Sequence, residues 1–321
     1  MQRFPSRFHF VILSICSLMT FICCDQRAYA QQTTGVGSFR VAGYLPDYRF
    51  SSLNFDAIKG LTDLIIFSAE PGPDGSLNTS RLKACPWESL LRFKTENRIR
   101  LILTIGGWER SEHFAKLAKS PKDRKAFVDA VVAFALARRL DGIDIDWEHP
   151  KDASEEQAYA ALLNDLKDAF KPNGLLLTVT IAAWQHLPTG AVAAVDGVQV
   201  MAYDHDKEHS TFDGAVKDVR TLLDAGMPAK KIILGLPFYG RDIKTRDAET
   251  YGAIAARHHP EPAVDQVGSM YFNGVSTITR KVKFAQQSQL GGVMIWEIGQ
   301  DATGDNSLLN TILKTISGPS K

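Results

Sequence analysis

The stretch Asp141-Gly-Ile-Asp-Ile-Asp-Trp-Glu148 combines strand-like alternation with an unusual density of acidic side chains. Successive side chains of a β-strand point to opposite faces, so Asp144, Asp146 and Glu148 share one face, and the isoleucines and Trp147 share the other. Three carboxyls on one face repel each other and resist removal from water, so at least one is expected to have a raised pKa. Because a carboxylic acid that stays neutral near pH 7 can donate a proton, the pattern indicates chemistry rather than stability.

An edge strand with one solvated acidic face is the alternative interpretation of this stretch. Its flanks argue against that interpretation, because an amphipathic segment from Phe127 to Leu140 leads directly into it. The opposite face is wholly apolar, as expected for a strand that is covered by helices. We therefore expect a buried strand.

Eight short apolar runs recur along the chain, and most are followed by an amphipathic stretch of helical character. Such alternation is typical of parallel strands that are covered on the outside. It predicts a single closed (β/α)8 TIM barrel of the α/β class. A doubly wound open sheet is the alternative, but that architecture usually has fewer than eight strands. The runs are Phe39–Tyr44, Leu61–Phe67, Ile99–Ile105, Asp141–Glu148, Leu175–Ala183, Gly197–Tyr203, Lys231–Phe238 and Gly291–Ile298.

Polar and aromatic residues concentrate at the C-terminal ends of these runs, where barrel enzymes build their sites. Four of the five tryptophans lie there, namely Trp108, Trp147, Trp184 and Trp296. By parity Trp147 faces the helices, and the other three are free to present flat apolar faces to a ligand. Between the last two runs, residues 241–290 have room for a helix, a short strand and the final crossover helix. At most a short insertion is expected there.

The first thirty residues have the pattern of a secretory signal peptide. Arg3 and Arg7 make a basic start, residues 8–24 are apolar, and Ala28-Tyr29-Ala30 is an A-x-A cleavage site. We expect a secreted or periplasmic product, residues 31–321, that forms one domain and is a monomer. No later segment has eighteen uninterrupted apolar residues, so no membrane span is expected in the mature chain.

Charge and cysteine content exclude several classes of partner. Removing residues 1–30 takes the formal net charge from +1 to −1, which does not suggest nucleic acid or an anionic membrane as a partner. Only Cys85 would remain, as a buried thiol that can form no intramolecular disulfide.

Two further motifs do not reach the pattern of a metal or cofactor site. His205 and His209 lack a third convergent ligand, and Gly106-Gly107 lacks the dinucleotide-binding spacing. No metal and no cofactor is therefore expected.

The acidic strand, read together with three further motifs, resembles the family 18 glycoside hydrolases, the chitinases and their relatives. The resemblance begins at Gly43-Tyr44 and runs through nearly all of the expected mature chain. The motif at residues 104–107 carries Thr104 where serine is frequent in the family, and threonine keeps the hydroxyl group. The motifs, in the family's order and spacing, are Thr104-Ile-Gly-Gly107, Gln199-Val-Met-Ala-Tyr-Asp204 and Gly291-Gly-Val-Met-Ile-Trp296.

The resemblance implies a retaining hydrolysis in which the substrate supplies the nucleophile, an exception to the usual pair of enzyme carboxylates. Glu148 would protonate the glycosidic oxygen while the substrate's own 2-acetamido oxygen closes to an oxazolinium ion. Asp146 would orient the acetamido N–H and offset the developing positive charge. Asp144, deeper in the barrel, would hold Asp146 and share its proton.

The resemblance also implies substrate-binding residues. Tyr203 would donate a hydrogen bond to the acetamido oxygen, Asp204 would bind near the acetamido group or the sugar, and Trp296 would be the floor of the −1 subsite. Gly106 and Gly107 would leave space beneath the sugar. The remaining residues expected to contact substrate are Met201, Tyr44 and Trp108.

The implied substrate is a β-1,4-linked N-acetylglucosamine polymer or oligomer, with chitin as the default. The short insertion predicts an open cleft and endo-type cleavage. Peptidoglycan and the chitobiose core of N-glycans are alternatives with the same mechanism; Tyr203 argues against the N-glycan enzymes, some of which carry asparagine there. A sugar-binding lectin on the same barrel is an alternative of another class. Glu148 argues against it, because chitinase-like lectins usually lose that acid.

Overall fold

The computed structural model describes residues 39–318, and within them thirteen strands form two sheets. Eight parallel strands make a closed barrel in the order β1-β2-β4-β5-β6-β7-β8-β13, with the last strand pairing with the first. The predicted barrel is therefore confirmed, and the open-sheet alternative is wrong. The strands are β1 (Arg40–Pro46), β2 (Asp63–Pro71), β3 (Leu77–Asn78), β4 (Arg100–Gly106), β5 (Gly142–Asp146), β6 (Leu176–Ala182), β7 (Gly197–Met201), β8 (Ile232–Pro237), β9 (Tyr239–Asp242), β10 (Ala248–Thr250), β11 (Gln266–Val267), β12 (Met270–Tyr271) and β13 (Gly292–Trp296).

The α-helices cover the outside of the barrel, and the helix Ala153–Phe170 illustrates how the sequence specifies them. Asp152 caps this helix by accepting the N–H of Glu155 at 2.8 Å, and Leu162 and Leu166, four residues apart, are fully buried. Residues at that spacing share one face of a helix. The helices are α1 (Trp87–Asn97), α2 (Phe114–Lys119), α3 (Pro121–Ala137), α4 (Ala153–Phe170), α5 (Thr189–Val192), α6 (Phe212–Asp224), α7 (Tyr251–His258), α8 (Val275–Gln287) and α9 (Leu308–Ser317).

Alternation along β5 divides its residues between the barrel interior and the helices. Trp147, just past the strand, stacks on Phe114 at 5.5 Å and packs edge-on against Tyr159 of α4. Its predicted orientation toward the helices is confirmed. Asp144 and Asp146 take the opposite, inner face, where they are 0% and 3% exposed. The alternative of a solvated acidic face is wrong.

The connection between β8 and β13 holds a small antiparallel sheet, in the order β10-β9-β12-β11, and helix α7. The helix and a strand near residues 268–272 are predicted by the sequence, and the other three strands are not. Each strand has only two to four residues, too few for an alternating pattern to be recognised. The insertion is short, as expected.

Two expectations concern the chain as a membrane or exported protein. No helix within residues 39–318 is both long and apolar enough to cross a membrane. The signal peptide expected in residues 1–30 lies outside the described residues and stays a prediction.

Candidate active site

The acidic residues of β5 lie at the C-terminal end of the barrel, where several strands converge. The parallel register places Asp144 beside Thr104 and Asp146 beside Gly106 of β4. Glu148 follows the strand by two residues, and its side chain is 12% exposed. The three carboxyls thus form a column that rises from the barrel interior toward its mouth.

Asp144 is fully buried and is surrounded by uncharged hydrogen-bond donors. Burial raises the pKa of its carboxyl, whereas hydrogen bonds from threonines, Tyr44 and Gln199 oppose that shift. These neighbours hold the side chain in one orientation at the base of the column. The partners are Thr178 Oγ1 at 2.7 Å, Thr180 Oγ1 at 2.9 Å, the Tyr44 hydroxyl at 3.0 Å, Thr104 Oγ1 at 3.2 Å and Gln199 Nε2 at 3.4 Å.

Asp146 is buried with Oδ1 unpaired among the described residues. Burial and the charges of Glu148 and Asp144 raise its pKa well above the usual range, and its carboxyl shares a hydrogen bond with Glu148. The sequence-based expectation pairs Asp146 with Asp144 through a shared proton. In this structure the hydrogen bond of Asp146 runs to Glu148, and the oxygens of Asp144 accept from hydroxyl and amide donors. The shared proton of Asp144 and Asp146 stays a prediction.

A hydrogen bond from its backbone holds Glu148 at the top of the column. Its N–H donates to Ser111 Oγ at 3.1 Å, and that hydroxyl lies 3.0 Å from the carbonyl oxygens of both Gly107 and Asp146. Burial and the charge of Asp204 raise the pKa of Glu148 to about 7. The side chain can therefore keep a proton near neutral pH and release it to a leaving oxygen.

Tyr203 and Asp204 follow β7 after one intervening residue, Ala202, and face the same site. The Tyr203 hydroxyl lies 3.8 Å from Met294 Sδ, its only protein partner among the described residues. Asp204 adopts a left-handed backbone (φ 63°), and its carboxylate accepts hydrogen bonds from Tyr239 at 2.8 Å and from Arg241. Although burial opposes it, interactions with His209, Arg241 and Tyr239 lower the pKa of Asp204, so its carboxylate stays ionised. Ser111, Tyr239 and Arg241 are not apparent from the sequence.

Trp296 lies at the end of β13, half-buried, with Tyr44 and Phe67 packed against it. Its ring centroid is 5.4 Å from that of Tyr44 and 4.9 Å from that of Phe67, which meets it edge-on. Gly107 (φ 106°) allows this packing, because a Cβ there would collide with the Phe67 ring. The space that Gly107 leaves is therefore filled by Phe67, which in turn supports the Trp296 platform.

The remaining residues expected to contact substrate occupy different depths. Tyr44 is 1% exposed and supports Asp144 from below, so its contact with a sugar stays a prediction. Met201 ends β7 and is half-buried. Trp108 is 69% exposed and Trp184 is 65% exposed, so both present open aromatic faces.

Other candidate reactive residues do not join the acidic column. Cys85 is buried, which confirms the predicted buried thiol, and burial raises the pKa of that thiol to about 12. His205 Nε2 lies 2.9 Å from Asp218 Oδ2 of α6. His209 is fully buried, with Nδ1 3.7 Å from Asp204. These histidines belong to the support of the loop that follows β7.

This chain is similar to a family model, to a curated protein and to solved structures. The family model for glycosyl hydrolases family 18 matches residues 40–301. Chitinase 1 of Aphanocladium album is 27% identical over 286 residues, 70% of this chain and 67% of that protein. A chitinase from the chitin utilization locus of Flavobacterium johnsoniae has a TM-score of 0.77 at 28% identity, covering 87% of this chain and 94% of that one. A mutant class V chitinase of Cycas revoluta, in complex with (GlcNAc)3, shows the same fold with a TM-score of 0.76 at 22% identity, over 86% and 99% of the two chains.

Proposed function

This chain belongs to family 18 of the glycosyl hydrolases, and from that premise we propose that it cleaves β-1,4-linked N-acetylglucosamine polymers with retention of configuration. One observation carries the proposal. Glu148, paired with Asp146 at the top of a buried carboxyl column, has its pKa raised to about 7 by burial and by Asp204. An acid of that strength matches the protonation of a glycosidic oxygen near neutral pH.

The first step follows from the arrangement of the column. Glu148 gives its proton to the glycosidic oxygen, the bond between that oxygen and the anomeric carbon breaks, and the leaving chain departs as an alcohol. The 2-acetamido oxygen of the same sugar bonds to the anomeric carbon and forms a cationic oxazolinium ring. The unpaired Oδ1 of Asp146 accepts the acetamido N–H and stabilises the positive charge.

The second step returns the enzyme to its starting state. The Glu148 carboxylate now takes a proton from water, and the water oxygen bonds to the anomeric carbon as the ring opens. Water enters from the side that the leaving chain vacated, so the product keeps the β configuration. Throughout, the Tyr203 hydroxyl donates to the acetamido oxygen, while the charge of Asp144 helps to raise the pKa of Asp146.

Chitin and its oligomers are the substrates that we propose. Relatives of this chain are named chitinases, and one solved relative holds (GlcNAc)3. Trp108 and Trp184 offer exposed aromatic faces beside the acid, suited to stacking sugars beyond the cleaved bond. The insertion between β8 and β13 is short, which favours an open cleft and endo-type cleavage. We also propose that the chain is exported, because residues 1–30 have the pattern of a signal peptide.

Product analysis tests this function directly. Purified residues 31–321 are mixed with the N-acetylglucosamine hexamer, and the anomer of the new reducing ends is recorded within seconds. Initial β-anomers support the substrate class and the retaining route together, and initial α-anomers contradict the mechanism. Binding without cleavage would favour the lectin alternative. Neither binding nor cleavage would favour peptidoglycan or a glycoprotein glycan.

A further inference from the structure

Lys281 of α8 is a fully buried cation outside the acidic column. Its Nζ lies 2.8 Å from the backbone oxygen of Ser210, 2.7 Å from Ser210 Oγ and 2.7 Å from Asn273 Oδ1. None of these atoms belongs to a carboxylate. The lysine therefore does not serve as half of an ion pair.

The three partners of Lys281 all act as acceptors. Ser210 Oγ gives its own proton to the carbonyl of Ala202 at 2.7 Å. Asn273 Nδ2 donates to the Ser210 carbonyl at 2.7 Å, which turns Oδ1 of the same amide toward the lysine. Three acceptors match the three N–H groups of an ammonium ion. The site is thus complementary to a charged lysine.

Keeping this charge buried has a thermodynamic cost. Burial lowers the pKa of Lys281 to about 7, against the opposing charges of Asp265 and Asp218. A methionine of similar shape would occupy the same volume without that cost. What the lysine adds is three strong hydrogen bonds, two of them to Ser210 in the loop after β7 and one to Asn273.

That loop carries two of the residues that we assign to substrate. Ser210 is tied to Ala202, which directly precedes Tyr203 and Asp204. The N–H of His205 donates to the carbonyl of His209 at 3.0 Å, which closes the segment of residues 202–210 into a compact loop. Lys281 consequently fixes both ends of the segment through a single serine.

We infer that Lys281 is a positioning residue that places Tyr203 and Asp204 for the acetamido group. The inference rests on the proposed function, because it needs those two residues to bind substrate. Lys281 contacts no substrate and acts through Ser210 and Ala202.

Lys231 offers a matched control at the opposite end of the barrel. Its Nζ donates to the carbonyls of Val192 and Val195, both at 2.7 Å, just before β8 begins. Like Lys281, it ties a loop through backbone oxygens. The stretch that it ties, residues 192–195 at the end of α5, carries no residue that we assign to the site.

The test is a double-mutant cycle on hexamer cleavage with Lys281→Met, Tyr203→Phe and both together. We expect Lys281→Met to lower kcat/KM roughly tenfold in the wild-type background, the effect of losing about one hydrogen bond. The same change should cost only about threefold in the Tyr203→Phe background, because the part of its effect that passes through Tyr203 is already lost there and the part that passes through Asp204 remains. Lys231→Met should leave kcat/KM unchanged in both backgrounds. Equal losses in the two backgrounds would overturn the inference, since a general loss of stability does not depend on Tyr203.

Hydrogen exchange without substrate separates this inference from the proposed function. We expect amides of residues 203–210 to exchange faster in Lys281→Met than in wild type and in Lys231→Met. If wild type does not cleave the hexamer, the proposed function fails, while exchange still reports whether Lys281 holds the loop. If Lys281→Met does not fold, Ser210→Ala removes the link to Ala202 and should reproduce both effects. Unchanged exchange and unchanged kcat/KM in either folded variant would refute the positioning role.

Discussion

The two ends of the barrel bury carboxyl groups in opposite electrostatic surroundings. At the N-terminal end, Asp63 of β2 lies between Arg40 of β1 and Arg100 of β4. Arg40 donates to its oxygens at 2.8 and 3.1 Å, and Arg100 at 2.6 and 2.9 Å. Although burial opposes it, these two cations lower the pKa of Asp63 to about 2.

At the C-terminal end, Asp146 has carboxyls instead of arginines for neighbours. It is as buried as Asp63, yet its pKa is raised well above the usual range by burial and by Glu148 and Asp144. Burial alone therefore does not decide what a carboxyl does. Two flanking cations make it a structural tie, and two flanking carboxyls make it a proton-handling group.

Removal of the acid at the C-terminal end should have the largest effect. We expect Glu148→Gln to reduce hexamer cleavage by roughly 10²–10⁴-fold, because the amide cannot protonate the leaving oxygen. Hexamer affinity, measured by calorimetry, and the thermal midpoint should stay close to wild type. Activity that survives this change would show that another group is the acid.

The matching change at the N-terminal end should affect stability instead. Asp63→Asn leaves two arginines without their carboxylate, and we expect unfolding to become easier by about 3–5 kcal/mol. The effect should appear in urea unfolding at pH 7, with activity per folded molecule unchanged. Asp56→Asn, which breaks an exposed pair with Lys59, is the control and should leave the urea midpoint in place. A small effect of Asp63→Asn would mean that the arginines find water or other acceptors.

The pH at which activity falls on the alkaline side of its pH profile (the alkaline limb) should depend on the surroundings of Glu148. Cleavage needs its protonated form, so kcat/KM should fall as pH rises through about 7. Asp204→Asn removes a negative charge that raises this pKa, and the limb should move to lower pH even though binding also weakens. Asp141→Asn, at the other end of β5, should not move it. If the alkaline limb stays at the same pH in Asp204→Asn, the titration of another group causes the loss of activity.

The smallest effect is expected on the free energy of unfolding when a carboxyl of the acidic column is removed. The folded pKa of Asp146 lies above its unfolded value, so its stabilising contribution is present at low pH and is lost as pH rises through the folded pKa. Asp63 behaves oppositely, because its contribution is lost as pH falls from about 4 toward 2. We therefore expect Asp146→Asn to stabilise the protein at pH 8 by about 1 kcal/mol in urea unfolding. A loss of stability at pH 8 would contradict this sign.

Local patterns predict the column, and distant partners complete it. Alternation is a property of neighbouring residues, so the inner position of Asp144 and Asp146 follows from a few letters of sequence. Thr178 and Thr180, polar residues at period two in an apolar strand, were a readable signal for the support of Asp144. By contrast, Arg241 lies 37 residues from its partner Asp204, and Lys281 lies 71 residues from Ser210. Only the folded insertion and the final helices bring these residues together.

The hydrogen-bond donors to Asp144 link the assembly of the site to the closure of the barrel. Its donors come from β1, β4, β6 and β7, while the carboxyl belongs to β5. A half-barrel that contains only some of these strands would leave part of this support unmade. The rate at which activity returns after dilution from denaturant should therefore report the rate of barrel closure. It should be slower than the rate of helix formation.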